Sequence, residues 1–216
     1  MRETARVLKC SYTTVYLKFL WLGKRAKEFH LKQKFTINEL QFDETYSIEH
    51  TKLKPLGIAL AVSDDYKILG VQVGKSKAPG SLASISYRKY GPRPNESLPK
   101  IRALLQLICA QSSTAPNIIK SDAKTEYKRA VREMFPQTQY QVFSASEFKE
   151  KKREQKYLSQ EKRIHDPIFA INHMCARLRD HIKRLARRSW CTTKIPEHLE
   201  LNIYLHIAKN NQYSFL

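Results

Sequence analysis

Acidic residues are scarce in this sequence relative to basic ones. Asp and Glu number 20 against 39 Lys and Arg, so the formal net charge is +19 and the isoelectric point is about 9.8. Each basic side chain set against a phosphate releases condensed counterions, so the excess favours a polyanionic partner. Charge by itself does not separate DNA from RNA or from an anionic membrane.

Three further absences argue against whole classes of protein. No run of about 18 apolar residues occurs, which argues against a transmembrane helix. The opening residues "MRETARVLKC" lack the apolar core and cleavage site of a secretory signal. The cysteines form no CxxC pair, which argues against a zinc knuckle and favours reduced thiols in a cytosolic protein. These cysteines are Cys10, Cys109, Cys175 and Cys191.

Residues 1–33 are basic and have a helical pattern. The pattern predicts a short helix, a break near Ser11, which is a plausible N-cap, and then a longer helix. Val15, Phe19 and Leu22 recur at helical spacing in the second helix. Two interpretations stand: a partial helix-turn-helix whose second helix enters a major groove, or two helices that only pack.

From about residue 35 the pattern becomes that of an α/β domain extending to residue 212. "FTINELQFDETYSI" alternates apolar and polar residues, as a strand does, and "LGIALAVS" is continuously apolar, as a central buried strand is. The segments "KSKAPGS" and "YGPRPNESLP" bracket a predicted loop. The remaining predicted elements are strand "ILGVQVGK", helix "PKIRALLQLICAQS", strand "PNIIKSD", helix "KTEYKRAVREMF", strand "QYQVFSAS", a helix that starts at Asp166-Pro167 and runs to about Ser189, and helix "KIPEHLELNIYLHIAKNN".

Three strands followed by alternating helices and strands is the element order of the ribonuclease H-like fold. We therefore predict an α/β domain with a mixed five-stranded sheet flanked by helices, preceded by the short helix-turn-helix-like segment. In that fold the first and fourth strands are neighbours. Asp43 lies on the polar side of the first strand and Asp122 at the end of the fourth, so their carboxylates are expected to converge.

A third group is expected from the helix after Asp166. Asn172 and Arg179 are seven residues apart, so on a helix they lie within about 20° of each other. Two carboxylates and an amide oxygen form a hard-oxygen ligand set suited to Mg²⁺ or Mn²⁺. Asp166 is the alternative third ligand, although its place before a proline favours a helix N-cap.

Three segments resemble insertion-sequence transposases of the DDE superfamily. They are "DETYS" at 43–47, "SDAKTEY" at 121–127, and the block from 171 to 207 with an "I-N" pair, a basic residue seven positions on and "RS…TTK…H". The closer likeness is to bacterial and archaeal families whose triad is Asp-Asp-Asn. The resemblance spans residues 36–210 and implies a metal-dependent polynucleotidyl transferase.

Residue by residue, Asp43 and Asp122 match the two family aspartates and Asn172 the third catalytic, metal-binding position. Glu44 matches a recurrent neighbour that is not a ligand. The resemblance implies two Mg²⁺ or Mn²⁺ ions and DNA contacts from the last block: Arg179, Lys183 and Arg187.

The function expected from this resemblance is DNA strand cleavage and strand transfer of an insertion sequence. The partners expected are double-stranded DNA, at the element ends and the target, and further copies of the chain. Residues 149–188, with thirteen Lys and Arg against five Asp and Glu, would hold the duplex. The location expected is a prokaryotic cytoplasm, on the nucleoid. Two alternatives stand: an inactive or truncated transposase that only binds DNA, and a structure-selective nuclease.

Overall fold

The structure is a computed structural model that describes residues 1–144, 166–186 and 191–214. Arg187 and most of the basic stretch 149–188 lie outside the described residues. The elements in chain order are α1 (Arg2–Val7), α2 (Tyr12–Leu31), β1 (Glu39–Ile48), β2 (Pro55–Ser63), β3 (Ile68–Lys75), α3 (Leu82–Tyr90), α4 (Ser97–Gln111), β4 (Ile118–Asp122), α5 (Thr125–Met134), β5 (Gln139–Phe143), α6 (Phe169–His181) and α7 (Pro196–Asn210).

The described strands form one mixed sheet in the order β3-β2-β1-β4-β5. The strands β1, β2 and β3 pair antiparallel, while β4 lies parallel to β1 and β5 parallel to β4. This order confirms the predicted α/β, ribonuclease H-like sheet. In the β1–β4 register Phe42 is opposite Ser121, so the next residues, Asp43 and Asp122, follow on neighbouring strands.

Helices cover both faces of this sheet, and β2 shows the result. All nine of its residues are buried, so its apolar run is continuous instead of alternating. Ile58 and Leu60 belong to the core beneath α6 and α7, whereas Ala59 and Ala61 belong to the core beneath α4 and α5. Each fully buried Ile or Leu contributes about 1.5–3 kcal/mol. Among the described residues no helix combines the length and the apolarity needed to cross a bilayer.

The predicted N-cap of α2 is confirmed, since Ser11 Oγ accepts a hydrogen bond from the Thr14 N–H at 3.0 Å. The inner face of α2 packs on α7. A Cβ on Gly23 would lie 2.8 Å from Leu201 Cβ, so only glycine permits this approach. The Lys27 ammonium also meets the Glu200 carboxylate at 2.6 Å. DNA binding by residues 1–33 stays a prediction, and only the outer face of α2 is open to it.

Helix α3 lies where a loop was predicted, and that prediction is wrong. Ser86 is buried, and its hydroxyl donates to the Leu53 carbonyl at 2.7 Å. Ile85 and Tyr87 are exposed, so the helix carries no apolar stripe by which a sequence pattern could reveal it. It ends before Gly91, whose φ of +73° suits glycine.

Helix α6 is shorter than predicted. It begins at Phe169 and not at Pro167, and it ends at His181. Asp166 does cap backbone, since its Oδ1 accepts the N–H of Ile168 at 3.0 Å, but it does so in the turn before the helix. The final helix begins at Pro196, two residues later than predicted, and ends at Asn210.

Candidate active site

The polar face of β1 lies beneath α6. Gln41 Oε1 accepts a hydrogen bond from the Ile171 N–H at 3.1 Å. Thr45 Oγ1 accepts one from Arg179 Nη2 at 2.6 Å. Because side chains alternate along a strand, Asp43 lies on this same face, between the two contacts.

Asp43 and Asp122 form a pair of half-buried carboxylates. Burial and, second, the negative charge of Asp122 raise the pKa of Asp43 to about 6, against the opposing effects of the Glu44 N–H and the Lys124 ammonium. Burial also raises the pKa of Asp122, and Lys124 opposes the shift. A cation bound beside Asp43 and Asp122 would stabilise the charged form of both carboxyls.

One oxygen of this pair lacks a hydrogen bond. Among the described residues nothing donates to Asp122 Oδ1, although the atom is buried. A buried carboxylate oxygen left in this state is costly, and a bound cation would satisfy it. The carboxylates of Asp43 and Asp122 are the hard-oxygen donors that Mg²⁺ and Mn²⁺ prefer, so these residues fit a divalent ion.

No group of three or more His, Cys, Asp and Glu side chains within the described ranges could hold a metal ion. The remaining positions around an ion would fall to an amide, to water or to substrate phosphate, as is usual for Mg²⁺. This leaves room for the predicted amide ligand without demonstrating it.

Asn172 lies on the exposed surface of α6, and its Nδ2 donates to Asp166 Oδ2 at 2.8 Å. Asn172 and Asp166, the two candidates for the third ligand, are therefore hydrogen-bonded to each other. Cys175 lies one turn further along α6 and is buried. Its burial is the main cause that raises the pKa of its thiol, and the charge of Asp43 is the second cause. Metal binding by Asn172 stays a prediction.

The predicted DNA contacts on α6 differ in their surroundings. Arg179 is half-buried and is held by Thr45, whereas Lys183 is exposed just after the helix. Arg187 lies outside the described residues. Contact of these residues with DNA stays a prediction.

Glu44 faces the opposite side of the sheet from Asp43. Its Oε2 accepts hydrogen bonds from Ser97 Oγ at 2.7 Å, Lys124 Nζ at 2.9 Å and Tyr127 OH at 3.1 Å. Burial raises the pKa of Glu44, but the hydrogen bonds from Lys124 and Ser97 outweigh it and leave the pKa below its ordinary value. The charged Glu44 thus ties β1 to α4 and α5.

Sequence reasoning missed Lys124, Tyr127 and Ser97 as parts of this arrangement. A usable signal was present, because alternation places Glu44 in a buried layer where a cation must meet it. "SDAKTEY" offers Lys124 two residues after Asp122, at the end of the neighbouring strand.

A cavity of about 1030 Å³ lies away from the two aspartates, beside the C-terminal end of β1. Its lining includes the cations Lys52, Lys77 and Arg184 together with Ser47. We place the candidate site at Asp43 and Asp122 and not in this cavity. The two aspartates can hold a metal ion, whereas the described residues that line the cavity include no carboxylate.

No family model matches the chain, and no curated protein matches it. Among solved structures it is similar to a chain of the simian T-cell lymphotropic virus intasome in complex with PP2A regulatory subunit B56 gamma. That similarity has a TM-score of 0.31 and 13% identity, over 81% of this chain and 50% of that one. It is also similar to the HTLV-2 integrase catalytic core domain in complex with magnesium, with a TM-score of 0.28 and 15% identity, over 65% of this chain and 84% of that one.

The chain thus spans half the length of the first of these structures. Similarities this weak carry no argument about function. The fold assignment rests on the strand order and pairing within the chain itself.

Proposed function

We propose that the protein is a metal-dependent polynucleotidyl transferase that cleaves and joins DNA strands, as the transposase of an insertion sequence does. The observation that carries the proposal is the pair Asp43 and Asp122. The two residues follow on adjacent parallel strands, and burial raises the pKa of both carboxyls. The buried Asp122 Oδ1 has no hydrogen-bond partner among the described residues.

In this proposal Asp43 and Asp122 hold Mg²⁺ or Mn²⁺, and Asn172 adds an amide oxygen. Such ions, when bound, activate a water or a 3′-hydroxyl and stabilise the leaving oxygen of a phosphodiester. Burial keeps the two carboxylates fixed, and Lys124, anchored on Glu44 at 2.9 Å, limits the negative charge that they accumulate.

Basic groups around this pair are proposed to bind the DNA backbone. Arg179 donates to Thr45, two residues along β1 from Asp43, and Lys183 is exposed just after α6. The outer face of α2 presents further cations, including Lys18 and Arg25 on either side of Trp21. Assembly of several copies on paired DNA ends is proposed from the family resemblance.

A second candidate function is DNA binding without catalysis, in a protein descended from such an enzyme. It is favoured by one specific observation: the third position holds Asn172 instead of a carboxylate, and that amide is hydrogen-bonded to Asp166.

Strand cleavage and strand transfer, measured with purified protein, Mg²⁺ or Mn²⁺ and DNA carrying the flanking element ends, test the two candidates. The variants are Asp122→Ala and, as a matched control, Asp64→Ala, which removes an exposed aspartate in the β2–β3 turn. Metal-dependent joined products that disappear only with Asp122→Ala support the transferase. Salt-sensitive DNA binding without metal-dependent products contradicts it and supports the non-catalytic binder.

A further inference from the structure

Three aromatic rings from distant parts of the chain meet on the surface at the start of α6. Phe169 and His173 stack with ring centroids 5.4 Å apart and planes 15° apart. Tyr66, in the β2–β3 turn, meets both rings edge-on, at 6.4 Å from Phe169 and 5.7 Å from His173. Phe169 is 50% exposed and Tyr66 41% exposed, and His173 is exposed as well. We call these three residues the aromatic cluster.

The fold fixes Tyr66 in a conformation that a large side chain disfavours. Its φ is +61°, in the left-handed region, which costs roughly 1–2 kcal/mol for a residue other than glycine. The end of α7 holds the turn in place: Asn210 Nδ2 donates to the Tyr66 carbonyl at 3.0 Å, and Asn211 bonds both the N–H and the C=O of Ile68. Strain of this kind tends to be retained at functional positions.

The position of the aromatic cluster relates it to the candidate site. Phe169 and His173 lie either side of Asn172 in the sequence of α6, and the amide of Asn172 is bonded to Asp166. Ile171, between Phe169 and His173, donates its N–H to Gln41, two residues before Asp43 on β1, so this part of α6 lies over the strand that carries Asp43.

The chemistry of the aromatic cluster favours a nucleobase as its ligand. An exposed, preorganised ring stacks any base, because every base has a π-face, and such stacking contributes about 1–3 kcal/mol per base. The net charge of +19 favours a polyanionic ligand for the chain as a whole, while Asp64 and Asp65 adjoin Tyr66 in the cluster itself. Bases inside a duplex are already stacked, so only an unpaired base can take this position.

We propose that Tyr66, Phe169 and His173 stack an unpaired base at the end of a DNA strand that enters the Asp43–Asp122 site. The proposal rests on the proposed function for the identity of the nucleic acid, but the stacking itself needs neither metal nor catalysis.

The test is metal-free binding of the full chain to DNA that carries the fluorescent base 2-aminopurine, either in a single-stranded overhang or inside a blunt duplex. Stacking quenches the overhang base on binding and leaves the duplex base unchanged. Phe169→Leu keeps an apolar side chain and removes the π-face. It is expected to weaken overhang binding by about 5- to 150-fold, the range equivalent to 1–3 kcal/mol, without changing blunt-duplex binding.

Two further variants keep the test decisive. Tyr66→Gly removes a ring while relieving the positive φ, so it retains the fold and should still reduce quenching. Tyr87→Ala removes a ring that is 63% exposed on α3 and should have no effect. Equal quenching in wild type and Phe169→Leu, or equal loss of overhang and blunt-duplex affinity, overturns the proposal. Metal-dependent cleavage without quenching overturns it and leaves the proposed function standing, whereas quenching without cleavage supports it and counts against the transferase.

Discussion

Asp43 and Glu44 are neighbours in the chain, yet their carboxylates meet opposite surroundings. Glu44 is surrounded by hydrogen-bond donors. Its Oε2 accepts hydrogen bonds from four side chains: Ser97, Lys124, Tyr127 and Tyr46. Asp43 has a second carboxylate, Asp122, near it, and burial followed by the charge of Asp122 raises its pKa. A carboxylate whose partners are all in place contributes to the stability of the fold. Two carboxylates that repel each other contribute little to the stability of the fold, and a bound cation would stabilise their charged forms.

The largest expected effect on cleavage comes from neutralising one carboxylate of the Asp43–Asp122 pair. Asp122→Asn should reduce metal-dependent cleavage by about three orders of magnitude, because a bound ion supplies several kcal/mol of transition-state stabilisation. The same change removes a buried charge, so the free energy of unfolding should not fall. Cleavage rates and denaturant unfolding, measured on one preparation, check both parts. A large loss of stability would mean that Asp122 belongs with Glu44 among the structural carboxylates.

Neutralising the enclosed carboxylate should do the reverse. Glu44→Ala leaves the Lys124 ammonium and three hydroxyl groups without their acceptor, and should lower the free energy of unfolding by about 2–4 kcal/mol. Tyr46→Phe removes only the longest of the four hydrogen bonds, at 3.3 Å, and serves as the matched control. A change below about 1 kcal/mol in Glu44→Ala would contradict the assignment of Glu44 as a structural carboxylate.

The pH dependence of stability should report Asp43. Because its pKa is raised from 3.8 to about 6, the folded chain keeps a proton there that the unfolded chain loses between pH 4 and 6. The stability from this group is present below pH 4 and is lost as the pH rises through 6, by roughly 2–3 kcal/mol. In Asp43→Asn this part of the slope disappears. Unfolding curves of wild type and Asp43→Asn from pH 4 to 7 give the comparison, and parallel curves would show that the pKa is not raised.

The smallest expected effect tests the third position. Asn172→Glu adds a carboxylate on the flank of α6 and should tighten Mn²⁺ binding about tenfold, equivalent to 1.4 kcal/mol. Calorimetric titration at pH 7.5 measures this, with Asn172→Gln as the control of similar size and no charge. An unchanged Mn²⁺ affinity would remove position 172 from the site and leave Asp43 and Asp122 alone.

The sequence predicts the sheet well because its strands are marked by local patterns. The continuous apolar run of β2 and the alternation of β1 are visible without the structure, and the element order then brings Asp43 beside Asp122. Helix α3 was not predicted because most of its side chains are exposed and leave no apolar stripe.

The surroundings of the individual carboxylates could not be predicted in the same way. The Lys124–Glu44 pair joins residues 80 positions apart, so the alternation of β1 marks Glu44 as buried but does not by itself identify Lys124 as its partner. The bond between Asn172 and Asp166 depends on where α6 begins, which is two residues later than the Asp-Pro signal indicates.

The close contact of Gly23 with Leu201 has a mechanical consequence. With no side chain between them, α2 lies directly on α7, and the ion pair of Lys27 with Glu200 fastens the same interface. The N-terminal segment therefore cannot swing on a tether as a separate module would. If the protein acts on DNA as proposed, a duplex bound along the outer face of α2 would lie at a fixed distance from Asp43 and Asp122, and this distance would set which phosphodiester bond reaches the two carboxylates.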